Sequence, residues 1–472
     1  MADDRTEKDT MGEVRVPADA LWGASTQRAV ENFPISGIRF PRVFLEALGL
    51  VKGACAEANV ELGLLDRKLG DAIATASKDV AAGRHDDQFP LDIFQTGSGT
   101  STNTNANEVI ANLANVALGS PVGAKKPVHP NDHVNMGQSS NDVIPTAIHI
   151  AVLLSVDREL IPALERLQEA LAAKARDWDG IVKSGRTHLM DATPIRLGQE
   201  FSGYASQVEH GLARVRTTYR HLAELALGGT AVGTGINAHP DMPGKAIRRM
   251  AAETHLPLVR APNAFEAQAA QDALIEASGA LRVVAASLFK IADDIRWMGS
   301  GPRTGIAELK LPELQPGSSI MPGKVNPVIP EAVIQVCVQV YGNDAAVATA
   351  GLASNLDLNT MMPVMAHNLL QSVHLLARAS AVFREKCVEG LQPNLEKIRR
   401  DAELSTAIVT RLNPIIGYDK AAELAKESMR TGKTVKELVI EKGILPRAEA
   451  EKLLDPKALT EASKDLLGSG GG

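Results

Sequence analysis

The sequence predicts a mainly α-helical protein with three domains around a central bundle of long helices, and three observations carry that reading. Apolar residues recur at Ala270, Leu274, Ala277, Leu281, Val284, Leu288, Ile291, Ile295 and Met298. Those steps alternate four and three, the spacing of packed, nearly parallel helices. Further helical patterns cover 143–178, 197–227, 330–353 and 367–387, joined by loops bearing Gly or Pro. Strand signals are weak and confined to short stretches such as Gly12-Glu-Val-Arg-Val16.

In chain order, residues 1–137 form a mixed, mostly helical N-terminal domain. Residues 138–391 form the long-helix bundle, and 392–472 a small helical C-terminal domain ending in the flexible Gly468-Ser-Gly-Gly-Gly472. A helix over 265–298 is ~50 Å long at ~1.5 Å per residue. It stops at Gly299-Ser-Gly-Pro302, a glycine followed by proline. The run from Val333 to Val347 is apolar on nearly every side, which places that helix at the centre of an assembly.

Composition narrows the function. The chain has 472 residues, 44% of them hydrophobic, so a large core is available, yet only 3% are aromatic. Single-strand nucleic-acid platforms need aromatic faces, and 50 basic against 56 acidic residues leaves no surplus to neutralise phosphates. No nucleic-acid partner is expected. No run reaches the ~20 apolar residues of a membrane helix, so no membrane partner is expected either. The acidic start and the three scattered cysteines, Cys55, Cys337 and Cys387, point to a cytoplasmic location without disulfides. No close cysteine pair exists to hold an iron–sulfur cluster.

Four polar segments interrupt the helical background. They are Gln95-Thr-Gly-Ser-Gly-Thr-Ser-Thr-Asn103, the stretch from His129-Pro-Asn-Asp-His133 to Gln138-Ser-Ser-Asn-Asp142, Gly185-Arg-Thr-His-Leu189, and Gly317-Ser-Ser-Ile-Met-Pro-Gly-Lys-Val-Asn326. Turns alone do not require so many Ser, Thr, Asn, His and Lys side chains. Their donors suit an anion, above all where a helix N-terminus follows. Gly317 to Lys324 imitates a nucleotide phosphate loop. However, five residues separate its glycines, and Val325 stands where a magnesium-binding hydroxyl is needed. His129 and His133 are four apart, but Pro130 between them spoils a zinc-binding helix turn.

These motifs resemble the fumarase/aspartase superfamily. Gly317-Ser-Ser-Ile-Met-Pro-Gly-Lys-Val-Asn-Pro327 is similar to its signature loop, while Thr96-Gly-Ser-Gly-Thr-Ser-Thr-Asn103 and His129-Pro-Asn-Asp132 with Ser139-Ser-Asn141 resemble its other two segments. The likeness covers nearly the whole chain. Gly185-Arg-Thr-His188, Gly323 and His129 look like the cluster-free, class II fumarate hydratases rather than the aspartate ammonia-lyases. The resemblance implies reversible, stereospecific addition of water to fumarate, giving (S)-malate through an aci-carboxylate carbanion, as in the tricarboxylic acid cycle. It implies no cofactor and no metal. Two rivals remain at this point, an aspartate ammonia-lyase and a non-catalytic helical scaffold. A scaffold needs none of His188, Ser318, Lys324 and Asn326.

By resemblance, Ser98, Gly99, Thr100, Ser139, Ser140 and Asn141 hold one substrate carboxylate. Lys324 and Asn326, with Ser319, hold the other and stabilise the charge of the carbanion; Thr187 and Val325 also belong to the substrate-binding set. His188 is an acid–base group suited to either proton-transfer role, and Glu331 looks like its partner carboxylate. Ser318 resembles the loop serine assigned as base for the carbon proton; a water activated by His188 is the alternative. Lys126, His129, Pro130, Asn131 and Asp132 resemble a second, non-catalytic dicarboxylate site, with His133 and Gly137 standing where the family has Asp and Ser. The resemblance also implies a homotetramer whose sites each draw on three subunits.

Overall fold

The computed structural model of the chain describes residues 4–462; the glycine-rich end at 468–472 lies outside them. Helices dominate, accompanied by short two-stranded sheets. The chain divides into two units, each gathered from three stretches. One comprises Met1–Pro162, Gly211–Ala285 and Val336–Arg378, the other Ala163–His210, Ala286–Gln335 and Ala379–Gly472.

In the first unit, small residues set how closely helices approach. Arg42–Glu61 packs against Arg67–Ala81, and a Cβ on Gly49 would lie 2.7 Å from the Ala81 nitrogen and 2.8 Å from the Ser77 oxygen. The helix Thr100–Ala117 buries polar side chains that stand in for backbone. Asn115 donates to Val128 O and accepts from Val128 N, both at 2.8 Å. Buried Glu108 accepts from the backbone N–H groups of Gly23, Ser25 and Thr26, at the start of the helix Ala24–Asn32, whose own N-cap is a glycine.

The long helices differ from expectation in definite ways. The helix expected over 143–178 begins at Ser140, runs to Ser155, widens through a π turn at Val156–Leu160 and resumes at Ile161–Asp177. Pro162 has no N–H to return to the preceding turn, and the Ile161 N–H reaches back to Val156 O instead. The helix expected over 197–227 ends at Thr217, where the Thr217 and Thr218 hydroxyls take the carbonyls of Arg214 and Val215. The single rod over 265–298 is two helices, Ala264–Ala269 and Asp272–Met298, because the chain turns extended at Ala270. The second therefore spans ~40 Å rather than ~50 Å. The heptad positions from Leu274 to Met298 are all buried, while Phe289 and Trp297 on the other face are exposed. The last two long helices are Val328–Gly351 and Met362–Lys386, beginning two and five residues earlier than their patterns suggested.

The second unit holds the strands that periodicity missed. Val182–Thr187 and Met190–Arg196 form an antiparallel hairpin with a bulge at Gly185. Lys183 and Glu308, both buried, pair at 2.9 Å; Arg186 reaches Glu308 at 2.6 Å and Glu200 reaches Lys183 at 2.6 Å. In the same unit, a C-terminal cluster packs Ile408, Leu412, Leu424, Val435, Leu438, Val439, Ala450 and Leu454 together.

Two outcomes follow from this packing. Gly49→Val should lower stability by ~1–3 kcal/mol, read from the urea midpoint, since the new side chain meets backbone. Burial pushes the His149 imidazole down to about 4. The unfolded chain takes up that proton near pH 6.5, so the contribution is intact above that pH and is lost as pH falls toward about 4, about 3 kcal/mol in all. Urea midpoints measured across that window should fall less steeply in His149→Gln than in the parent.

Candidate active site

The first unit carries the Ser/Thr/Asn part of the site. The helix Ser140–Ser155 starts with a reciprocal capping box, in which the Ser139 hydroxyl accepts from Asn141 N at 3.2 Å and Asp142 Oδ1 accepts from Ser139 N at 2.9 Å. Asp142 Oδ2 also accepts from Gly228 N (2.9 Å) and Thr230 N (3.0 Å). This carboxyl is fully buried; desolvation raises its pKa, against the backbone N–H groups that favour the carboxylate.

The neighbouring loop is held as tightly. Gly97 has no room for a side chain, since a Cβ would lie 1.7 Å from Thr360 O, and Met362 N donates to Gly97 O at 3.0 Å. Gly99 takes φ 68 as it opens the helix Thr100–Ala117, a left-handed conformation that glycine adopts without strain. The loop and the helix start thereby meet. Ser98 Oγ lies 2.7 Å from Thr100 Oγ1, which lies 2.7 Å from Ser140 Oγ. Asn141 Nδ2 is taken by Ala231 O at 2.7 Å.

Thr100, Ser139 and Ser140 line a cavity of about 590 Å³. Asn131 and Asp132 of the second anion segment line the same cavity. His129 Nδ1 accepts from Asn131 N and Asp132 N at 3.3 and 3.2 Å. The Asp132 carboxylate also lies 3.3 Å from His129 Nδ1. His133, in the place of the family's Asp, anchors the loop by accepting His129 N at 2.8 Å. Pro130 is buried and Lys126 exposed.

Sequence reasoning missed the cavity's support. Lys52, wholly buried, donates to Asn135 Oδ1 (2.9 Å) and Gln138 Oε1 (3.0 Å), both from residues lining the cavity. Burial pushes its ammonium down to about 7. Asn103 and Asn107 line the cavity from one helix, each with a buried, unpartnered side-chain oxygen. A lone lysine inside Leu48-Gly-Leu-Val-Lys52-Gly-Ala and asparagines four apart after Gly99 were the available signals.

The second unit carries the other groups. Thr187 and Met190 pair across the hairpin, leaving His188 and Leu189 as a two-residue turn with φ 55 and 61, the type I′ geometry. Thr187, His188 and Leu189 are exposed. In the loop of 317–326, Gly317 N donates to Lys324 O at 2.7 Å and Asn326 Nδ2 to Gly317 O at 2.9 Å, which ties the loop's two ends. Ser318 Oγ accepts from Ile320 N (3.2 Å) and Met321 N (3.1 Å). Ser319, Lys324 and Val325 face solvent. Glu331 sits in the first turn of its helix, and among the described residues no hydrogen bond or ion pair joins it to His188. The structure thus brings Ser98, Thr100, Ser139, Ser140 and Asn141 together and presents His188 and the Ser318 loop as exposed elements.

Asp142→Ala leaves three backbone N–H groups without their acceptor. It should cost about 3 kcal/mol or more by urea unfolding, with Ser139→Ala costing only ~1 kcal/mol.

Comparison with known proteins finds relatives over nearly the whole chain. A family described as Lyase matches residues 12–342, and one described as Fumarase C C-terminus matches 408–461. The class II fumarate hydratase of Mycobacterium tuberculosis is 57% identical over 465 residues, covering 98% of this chain and 97% of that protein. That of Halobacterium salinarum is 58% identical over 458 residues, covering 97% of each. Among solved structures, a recombinant class II fumarase from Schistosoma mansoni superposes with TM-score 0.94 at 36% identity, covering 97% of this chain and 99% of that one. A fumarate lyase:delta crystallin from Brucella melitensis, bound to cobalt, gives TM-score 0.94 at 44% identity, covering 98% and 100%.

Proposed function

The chain belongs to the class II fumarate hydratases of the lyase family, and from that membership we propose how its residues carry out the reversible hydration of fumarate to (S)-malate. The observation that carries the proposal is the hydroxyl chain Ser98–Thr100–Ser140 at the start of two helices, whose last two members line a cavity rich in Asn, Ser and Thr. Such a cavity offers N–H and O–H donors and helix-dipole potential, which suit one end of a small dicarboxylate. In this reading Ser98, Thr100, Ser139, Ser140 and Asn141 bind that carboxylate, with Gly99 bringing the backbone close.

Thr187, Ser319, Lys324, Val325 and Asn326 receive the other carboxylate. Taking the proton from the adjacent carbon turns that group into a dianionic aci-carboxylate, and Lys324 with the Asn326 amide stabilises charge that develops mainly in the transition state. Ser318 is the base. A serine alkoxide is costly, but its oxygen already accepts two backbone N–H groups, which favour the charged form. In the dehydration of malate to fumarate, Ser318 takes the carbon proton, and His188, oriented by Glu331, gives a proton to the leaving hydroxide, releasing water. Hydration runs these steps in reverse. Lys126, His129, Pro130, Asn131 and Asp132 form the outer dicarboxylate site.

The working assembly is a homotetramer whose sites each draw on three subunits. The helix Val328–Gly351 supports this. Val333, Cys337, Val340, Asp344 and Val347 form its buried seam, whereas Gln335, Val338, Gly342, Ala345 and Thr349 form a second seam of alternating three and four steps that is open to solvent. Val338 is 62% exposed and Tyr341 48%. Those side chains suit burial against helices of other copies. The three-domain division at 137/138 and 391/392 belongs to this proposal. A cytoplasmic location also fits, since the three cysteines are free and buried; among the described residues no helix is long and apolar enough to cross a membrane.

Malate and aspartate assayed in parallel should give fumarate from malate alone; ammonia release without malate turnover would overturn the hydratase reading. His188→Asn and Ser318→Ala should each lower turnover by ~100-fold or more while light scattering still shows the tetramer. An active single chain would remove the shared-site proposal.

A further inference from the structure

A second cavity in the first unit has no role in this chemistry. It encloses about 360 Å³ and contains none of the residues assigned to dicarboxylate binding. Its buried wall is made by His149 and Gln271, 8% and 2% exposed. His149 Nδ1 lies 3.0 Å from Leu222 O and 3.1 Å from Glu224 O. Carbonyls only accept, so Nδ1 carries the proton and Nε2 is a bare lone pair with no partner among the described residues. The Gln271 side-chain oxygen is likewise buried without a partner.

Carboxylates supply the remaining polar lining, from Glu224, Glu266, Asp272 and Glu276. One of them has a basic partner, Glu276 with His221 at 2.6 Å. The others crowd one another. Burial, then the charges of Asp272 and Glu224, holds the Glu266 carboxyl above its usual range. Apart from His221 and the Gln271 amide, every polar side chain presented to the cavity is an acceptor or an anion. Its occupant must therefore be a cation rich in hydrogen-bond donors.

The size and spacing select among cations. No three of these groups converge as a metal-binding set among the described residues. The cavity also exceeds the ~30 Å³ share of one water by roughly tenfold, too much for a bare ion. Alanine side chains, Ala261, Ala267, Ala270 and Ala273, complete the wall and suit a short hydrocarbon stem. We propose that this cavity binds a small organic amine in its protonated form, with ammonium N–H groups donating to His149 Nε2 and the surrounding carboxylates. The site is independent of the hydratase reading, and its test needs no turnover.

Calorimetric titration of the assembled, full-length protein with ethylenediamine hydrochloride, in the absence of substrate, provides that test. One saturable event per chain is expected, with ethylene glycol, the neutral isostere, giving none. The double variant Glu266→Gln, Asp272→Asn should bind ~10-fold or more weakly, since it removes two exposed charges without touching the core. Absence of saturable heat would overturn the proposal, as expected if a basic side chain from another copy already fills the cavity. Equal binding by parent and variant would overturn it too, as would saturation by magnesium chloride with the amine silent.

Discussion

The carboxylate of Asp142 is the contact on which the first unit's site depends. It closes the capping box with Ser139 and, with its other oxygen, holds the backbone N–H groups of Gly228 and Thr230. A helix N-terminus exposes unsatisfied donors, and burying one requires that each find an acceptor. Here a single buried side chain satisfies donors from two distant segments. The Ser140 hydroxyl is thereby placed against Thr100, and Ser139 and Ser140 line the cavity.

The same economy recurs through the first unit. Glu108 serves the start of a helix more than eighty residues earlier in the chain, and Asn115 replaces a strand partner for Val128. Lys52 fixes the amides of Asn135 and Gln138 from beneath the cavity. Each is a polar group taken out of water and held by hydrogen bonds, the condition under which burial of polarity is tolerable. The scarcity of aromatic residues fits this design. Aliphatic and small side chains let helices approach closely, and a small dicarboxylate held by hydrogen bonds needs no stacking wall.

Local pattern revealed much of this and concealed some. The heptad from Leu274 to Met298 was legible because one face of a straight helix repeats regularly, and those residues are all buried. The break at Ala270 was not, because alanine is an excellent helix former and nothing local forbids helix there. The hairpin carrying His188 was hidden for the opposite reason. Its turn uses His and Leu at positive φ, where a type I′ turn normally advertises itself with Asn and Gly. The loop of 317–326 was legible as a motif, yet only the structure shows that Ser318 accepts two backbone N–H groups.

By itself the sequence determined which chemistry is available: helical rods from periodicity, and a set of hydroxyl, amide, imidazole and ammonium groups concentrated in four loops. Tertiary structure decided which of those groups meet. Thr100 and Ser140 touch across forty positions of sequence, and Asp142 reaches Gly228 and Thr230 across more than eighty. Periodicity reports only the environment of near neighbours along the chain. Which distant donor completes which buried acceptor is settled by packing, because close-packed interiors admit few arrangements in which every buried polar group is satisfied.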